Sequence, residues 1–289
     1  MLAKRRHDPA ARPETVPANE RRGSHRAYRE VLVGGIRTAC LSRQQLTALM
    51  VGDCIAARGG NRRPKLVFAS NGHAIALAAT DAQFRRCFEA ANLIHADGQP
   101  VVLASRLLTR NPIPERSATT DFIHDAAAAA AEKQLSFFLL GGAEPVNAEC
   151  AEALEQQYEG LRVAGRHRGY FSAADEAALC DTINTSGADV LWVGLGVPLE
   201  YEFCIRNRHR LNAGWIVTCG GCFNFVTGDY TRAPAWMQAS GLEWLYRMLR
   251  EPRRLFWRYA ITNPLAVFAL LTKTASALPP AQSAWTPAR

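Results

Sequence analysis

The chain has 289 residues, 48% of them hydrophobic, enough to bury one large α/β domain or one domain with an appendage and to exclude disorder throughout. Its net charge of +8 is concentrated at the ends, with eight Lys/Arg against four Asp/Glu in residues 1–30 and eight against two in residues 231–289. That polarity points to an acidic partner near the termini (nucleic acid, membrane or phosphorylated substrate) and by itself does not choose among them.

Residues 1–27 are rich in Arg, Pro, Ala and Glu without a hydrophobic period, and are expected to form a disordered basic tail. No signal peptide is expected, because these residues lack an apolar h-region. From 28 to 230 short apolar runs alternate with helical ones. "KLVFAS" (65–70), "LSFFLLGG" (135–142), "ADVLWVGLG" (188–196) and "WIVTCGG" (215–221) read as buried strands ending in small residues. Between them, 74–91, 121–134 opened by Asp121, 145–158 with Pro145 in its first turn, 173–186 and 199–212 read as helices. The alternation predicts a Rossmann-like, mainly parallel sheet with flanking helices, whose ligands gather outside the carboxyl ends of the strands.

Past residue 230 the pattern is helical without strands, predicting an appendage over 231–274 in which Pro252 ends or kinks a helix. Its longest apolar run, "AITNPLAVFALL" (260–271), is short of the ~20 residues a bilayer core requires, so the segment is expected to lie on a membrane without crossing it. Residues 275–289 are expected to form a flexible tail.

The eight cysteines are scattered through apolar segments, which predicts reduced, mostly buried thiols in a cytosolic protein. Cys219-Gly-Gly-Cys222 has redox spacing but no second ligand pair at a zinc-site distance, and its expected role is structural. The seven histidines include no H-x-x-x-H pair and no carboxylate cluster resembles a hard-cation cage, so metal-independent chemistry is expected.

Several positions carry chemistry. In "LIHADGQPVV" (93–102) a strand-like run ends in Asp97-Gly98, placing a carboxylate at a strand exit beside a glycine that lets backbone approach a ligand. The alternative, equally weighted, is that Asp97 caps a helix beginning near Gln99. Asn71, in "ASNGHAIAL", either caps the next helix or holds a sugar hydroxyl. Gly141 and Gly142, between strand and helix, have the geometry that favours a phosphate, although the full G-x-G-x-x-G spacing and the P-loop lysine are missing. Gly196 lies in a similar turn with Glu200 at a helix head. Arg116 and Asp121 lie on a proline-rich loop (111–123), where a solvated ion pair is the simplest expectation.

Together, "ASN", "ANLIHADGQPVV", "RLLTRNPIPERSATTDF", "FFLLGGAEP", "GRHRGYF", "DVLWVGLGVPLEYEF" and "CGGCFNFVTGDYTRAPAWMQASGLEWLYRMLREPRR" resemble, in collinear order, the WecG/TagA/CpsF family of bacterial glycosyltransferases. The resemblance implies inverting transfer of a hexose or N-acetylhexosamine from a UDP-sugar to a polyprenyl-diphosphate-linked saccharide at the inner face of the cytoplasmic membrane. It implies no cofactor beyond the UDP-sugar donor. Its products feed cell-envelope or exopolysaccharide synthesis. It places Asp97 on the family's "DG" aspartate, the proposed general base, and Asn71 on its "TxN" asparagine, with Ala69 in place of threonine and Ser70 available to supply the missing hydrogen bond. Arg116 falls on the "ER" arginine, a candidate phosphate ligand, and Arg232 opens the matching "RAP" segment on the substrate side. Glu200 stands where many members carry Gln, with Tyr201 in place of the following Glu, a departure that bears on the donor sugar. Arg247 and Arg254 fall on appendage arginines, spaced to share one helix face if the helix survives Pro252, and their guanidinium forks suit a diphosphate. The remaining arginines and the aromatics of 244–259 fit an anionic membrane surface.

Two other classes compete. A nucleotide-dependent oxidoreductase would need the glycine fingerprint after the first strand and an acidic residue ~20 positions on, which this chain lacks. A nucleic-acid-binding protein is suggested only by the basic ends, and no nucleic-acid partner is expected. The family's oligomers make a homo-oligomer an open expectation.

Overall fold

Alternation of apolar strands with crossover helices is realised in the computed structural model, which describes residues 28–60 and 63–276. A hairpin, β1 (Glu30–Val33) and β2 (Ile36–Ala39), turns through Gly34 and Gly35, both at positive φ. Helix α1 (Arg43–Arg58) follows, its start fixed by a capping box between Ser42 and Gln45. Then come β3 (Lys65–Ser70), α2 (Gly72–Thr80), α3 (Ala82–Ala90), β4 (Leu93–Ala96), α4 (Gln99–Leu108), α5 (Thr119–Lys133), β5 (Ser136–Gly141), α6 (Glu144–Gln157) and β6 (Arg162–His167). The chain continues through α7 (Glu176–Ser186), β7 (Val190–Gly194), α8 (Leu199–Asn207), β8 (Trp215–Thr218), α9 (Cys222–Val226), α10 (Ala235–Ala239), α11 (Glu243–Arg250) and α12 (Pro252–Thr272).

Six strands form one parallel sheet in the order β4-β3-β8-β7-β5-β6. Period-two alternation divides the inner strands between two cores. Leu66, Phe68, Phe138, Leu140, Leu191, Val193 and Ile216 enter one, while Val67, Phe137, Leu139, Val190, Trp192, Trp215 and Val217 enter the other. Burial on both faces is why these strands read as continuous apolar runs. Because all six run the same way, their carboxyl ends share one edge of the sheet.

Four expectations are corrected. The helix expected over 74–91 is two helices, because Asp81 leaves the helical conformation and caps α3 by accepting from the Gln83 and Phe84 amides. The helix expected to run to residue 212 stops at Asn207. Pro252 separates two helices: α11 ends at Arg250 and α12 starts with Pro252 in its first turn, so Arg247 and Arg254 do not share a helix face. Helix α12 then continues through Pro264 to Thr272, and by length and composition its 21 residues suffice to cross a bilayer, contrary to the reading of its apolar run alone.

Its packing favours a different placement. Leu255, Tyr259, Thr262, Ala266 and Ala269 recur at helical spacing and are buried, with Ala266 close against Gly72 of α2. The opposite side exposes Phe256, Trp257, Ile261, Val267, Phe268 and Leu271. The helix is thus docked by one apolar face and bare on the other. Beyond it, Ala275 pairs with Leu32 and Ser276 accepts from the Arg110 amide, so these first two residues of the expected C-terminal tail are bonded. The rest of that tail and residues 1–27 lie outside the described residues.

All eight cysteines are free, and Cys40 alone is not fully buried. Burial raises the thiol pKa of Cys219 and Cys222 well above the ordinary range, in keeping with a packing role for this pair.

Candidate active site

Loops at the carboxyl ends of β3, β4, β5, β7 and β8 meet at the sheet edge. Two glycines let them close on one another: a Cβ on Gly141, at φ +139°, would lie 2.2 Å from the Gly194 carbonyl oxygen, and one on Gly194 would lie 2.8 Å from that of Gly220. The Gly142 amide donates to Gly194 O (3.2 Å), and Glu144 already occupies the first turn of α6, so hydrogen bonding within the protein engages this glycine pair. Asn147 holds the same turn from beneath, donating to the carbonyls of Leu139, Gly141 and His167.

Asp97 follows β4 directly and is half-buried. Its Oδ1 accepts from the Thr119 amide (2.8 Å) and hydroxyl (2.9 Å), and its Oδ2 accepts from Asn71 Nδ2 (3.0 Å). It therefore caps α5, not α4, whose N-cap Gly98 has no side-chain bond. A carboxylate offers about four lone-pair sites; three are engaged among the described residues, and the one left open is on Oδ2. Burial alone would raise the Asp97 carboxyl, but the Arg116 charge, the Thr119 amide, His95 and Asn71 outweigh it and hold the pKa below the usual value. The group is ionised at neutral pH.

Asn71 caps α2 by accepting from the Ala74 amide, and its Nδ2 donates to Asp97. Gly98 lies tight on Asn71, where an added Cβ would come within 3.2 Å of the Asn71 Cα and Cβ. Ser70 is fully buried, its hydroxyl without a hydrogen-bond partner among the described residues, while its carbonyl accepts the amides of Asp97 and Gly98.

Arg116 does not form a solvated pair with Asp121. Its Nε donates to the Asp97 carbonyl (2.9 Å) and it pairs with Glu243 of α11 at 2.7 Å, both side chains more than four-fifths buried. Asp121 instead pairs with Arg232 (2.7 Å) and with Arg43 (3.6 Å). Arg232, Arg247 and Arg254 meet on an aromatic pair, Phe225 and Tyr230, whose centroids are 5.5 Å apart. The guanidiniums of Arg232 and Arg247 lie 6.0 and 5.4 Å from the Phe225 ring centre, and that of Arg254 lies 5.8 Å from that of Tyr230. Stacking on a shared platform thus brings Arg247 and Arg254 together across the helix break.

Glu200 is buried, as is Tyr201. The Glu200 Oε2 accepts from the amides of Gly196 (3.0 Å) and Gly220 (2.9 Å), tying together the loops after β7 and β8. Tyr201 packs among Phe68, Phe84 and Phe88 and donates to the Ala69 carbonyl. Glu200 thus braces the loops after β7 and β8, and Tyr201 belongs to the core beneath the sheet. Burial pushes Glu200 up to about 8, against the pull of its backbone donors. The folded protein therefore retains a proton that the unfolded chain has released, and its stability is full below the ordinary glutamate pKa and falls as pH rises through about 8. Glu200→Gln keeps an acceptor and cannot ionise, so its melting temperature should fall less than that of the wild type over this window. Parallel melting curves across pH would contradict this.

A cavity of ≈ 510 Å³ lies elsewhere, lined by Tyr28, Arg29, Cys40, Gln45, Arg110 and Asn111 among others. Asp97 and Arg116 are at the strand edge, not in that cavity. Among the described residues, no group of three His, Cys, Asp or Glu side chains is placed to hold a metal ion. The residues passed over in the sequence are Thr119, Glu243, Phe225 and Tyr230. Of these only Thr119 had a local signal, in the cap-like "ATTD" run.

Residues 31–278 match the family model described as the glycosyl transferase WecG/TagA/CpsF family. The chain is 32% identical over 203 residues, 70% of its length and 77% of the relative's, to an N-acetylglucosaminyldiphosphoundecaprenol N-acetyl-beta-D-mannosaminyltransferase of Bacillus spizizenii. It is 30% identical over 208 residues, 72% of its length and 76% of the relative's, to a protein of the same description from Bacillus subtilis.

Proposed function

Since the chain belongs to the WecG/TagA/CpsF family of glycosyltransferases, we propose that it moves an N-acetylhexosamine or hexose from a UDP-sugar to a polyprenyl-diphosphate-linked saccharide, inverting the anomeric carbon. The observation that carries this reading is an ionised carboxylate with one vacant lone pair at a strand exit, beside arginines gathered on one aromatic platform.

The acceptor hydroxyl gives its proton to Asp97 Oδ2 as its oxygen attacks the anomeric carbon. The bond from that carbon to the UDP β-phosphate oxygen breaks, and UDP leaves with the electron pair. Thr119 and Asn71 keep the carboxylate aimed. Arg247, Arg254 and Arg232 meet diphosphate charge, a role suited to planar guanidinium forks. Arg116, fixed on the Asp97 carbonyl, sets the distance between base and cations.

The bare face of α12 supports a peripheral location on the inner face of the cytoplasmic membrane, where the lipid-linked acceptor resides. Trp257, Phe268 and Leu271 present apolar surface, and Arg250 and Arg253 supply positive charge. Each such cation contributes about 1 kcal/mol of attraction to anionic lipid. Crossing the bilayer would strip α12 from α2 and expose the face the two bury.

The two relatives are named for N-acetylmannosaminyl transfer onto an N-acetylglucosaminyl lipid diphosphate, so UDP-N-acetylmannosamine is the first donor to try. The test is UDP release across a panel of UDP-sugars with a short-chain prenyl-diphosphate-linked N-acetylglucosamine. One N-acetylhexosamine donor should give release that depends on the acceptor; indifference to the acceptor for every donor would refute the proposal.

A further inference from the structure

We infer that Glu243 is a positioning residue that sets the register of α11 on the sheet edge and thereby holds Arg247 where it meets diphosphate. The inference rests on the phosphate role proposed for Arg247.

Helix α11 has no fully buried residue and its N-cap, Leu242, makes no side-chain cap bond. Hydrophobic burial therefore fixes its position weakly. Trp244 packs on Tyr259 of α12, but that contact ties α11 to another C-terminal helix, not to the strand ends. The contact with the strand ends is ionic. Glu243 Oε2 lies 2.7 Å from Arg116, and Glu243 Oε1 lies 3.9 Å from Arg232. Both partners are themselves anchored: Arg116 on the Asp97 carbonyl, and Arg232 on Asp121 and on Gln238 Oε1.

Arg247 stands four residues after Glu243, one turn along the same face. Its guanidinium rests over Phe225, the ring that Arg232 also approaches. A continuous set of contacts thus runs from Asp97 through Arg116 and Glu243 to the helix that carries Arg247. Glu243 also sits in the first turn of α11, where a carboxylate is favoured by the helix dipole. Without it, α11 can roll about its contact with α12 and Arg247 loses its fixed distance from the base.

The test is a double-mutant cycle on the full-length enzyme with the prenyl-diphosphate-linked acceptor. Glu243→Ala should lower acceptor kcat/KM roughly tenfold, and Glu243→Gln, which keeps an acceptor for Arg116, should recover part of that loss. Arg247→Ala should cost about a hundredfold in the wild-type background but only about tenfold in Glu243→Ala, because the two residues act through one contact. Melting temperatures show whether the alanine variant folds; if it does not, the cycle is run with Glu243→Gln, where the same loss of additivity, smaller in size, is expected. An equal Arg247→Ala penalty in both backgrounds would overturn the inference while leaving the phosphate role intact, whereas an inert Arg247→Ala in the wild type would remove the reading beneath it.

Discussion

Asp97→Asn is expected to lower the rate of sugar transfer by on the order of 10²–10⁴-fold, the contribution of a positioned general base. The asparagine oxygen can still accept from Thr119, so the cap of α5 survives. Its amide nitrogen then faces Asn71 Nδ2, two donors in opposition, and Asn71 cannot turn over without giving up the Ala74 amide. That costs about one hydrogen bond, ~1 kcal/mol, too little to unfold an ordinary domain. What disappears is the vacant lone pair on Oδ2 and the negative charge, and with them the means of taking the acceptor proton. Initial rates measured beside melting temperatures separate this loss from misfolding.

Arg247→Ala is expected to lower acceptor kcat/KM by about 10²-fold, the usual cost of losing one preorganised donor to developing charge. Of Arg116, Arg232, Arg247 and Arg254, Arg247 alone has no carboxylate partner among the described residues, its guanidinium resting on the Phe225 ring. Its charge is thus available to a phosphate. Arg254 is paired with Glu251 at 2.6 Å on an exposed turn, so Arg254→Ala should cost several-fold less. Lysine at 247 should restore only part of the activity, since an ammonium supplies charge without the planar fork. Steady-state kinetics of the single variants against acceptor concentration check the order. A larger loss for Arg254→Ala than for Arg247→Ala would contradict it.

The inner strands are legible in the sequence because burial on both faces gives β3, β5, β7 and β8 nearly continuous apolar runs. Strand β6 is not, because it lies at the sheet edge with Arg162 and Arg166 exposed and resembles a loop. The break at Asp81 was hidden for a different reason: no Gly or Pro marks it, and it depends on one side chain competing for helix amides. At the site, Asp97 stands out because an apolar run ends in Asp-Gly. Its bonds to Thr119, and the pairing of Arg116 with Glu243, join segments far apart in the chain that only the fold brings together. Arg247 and Arg254 were grouped by a helical spacing that Pro252 interrupts. They meet nonetheless, through Phe225 and Tyr230, rings that carry no charge to attract notice in a sequence.

One carboxylate, held open by Thr119 and Asn71 while arginines from the C-terminal helices face diphosphate, is the centre of the account. The measurement that tests it most directly pairs two readings on the same Asp97→Asn preparation: acceptor-dependent transfer, followed as sugar gained by the lipid, and UDP affinity by calorimetry. Transfer reduced at least to the hundredfold range with UDP binding near that of the wild type is the predicted result. Transfer within a few-fold of wild type would contradict it.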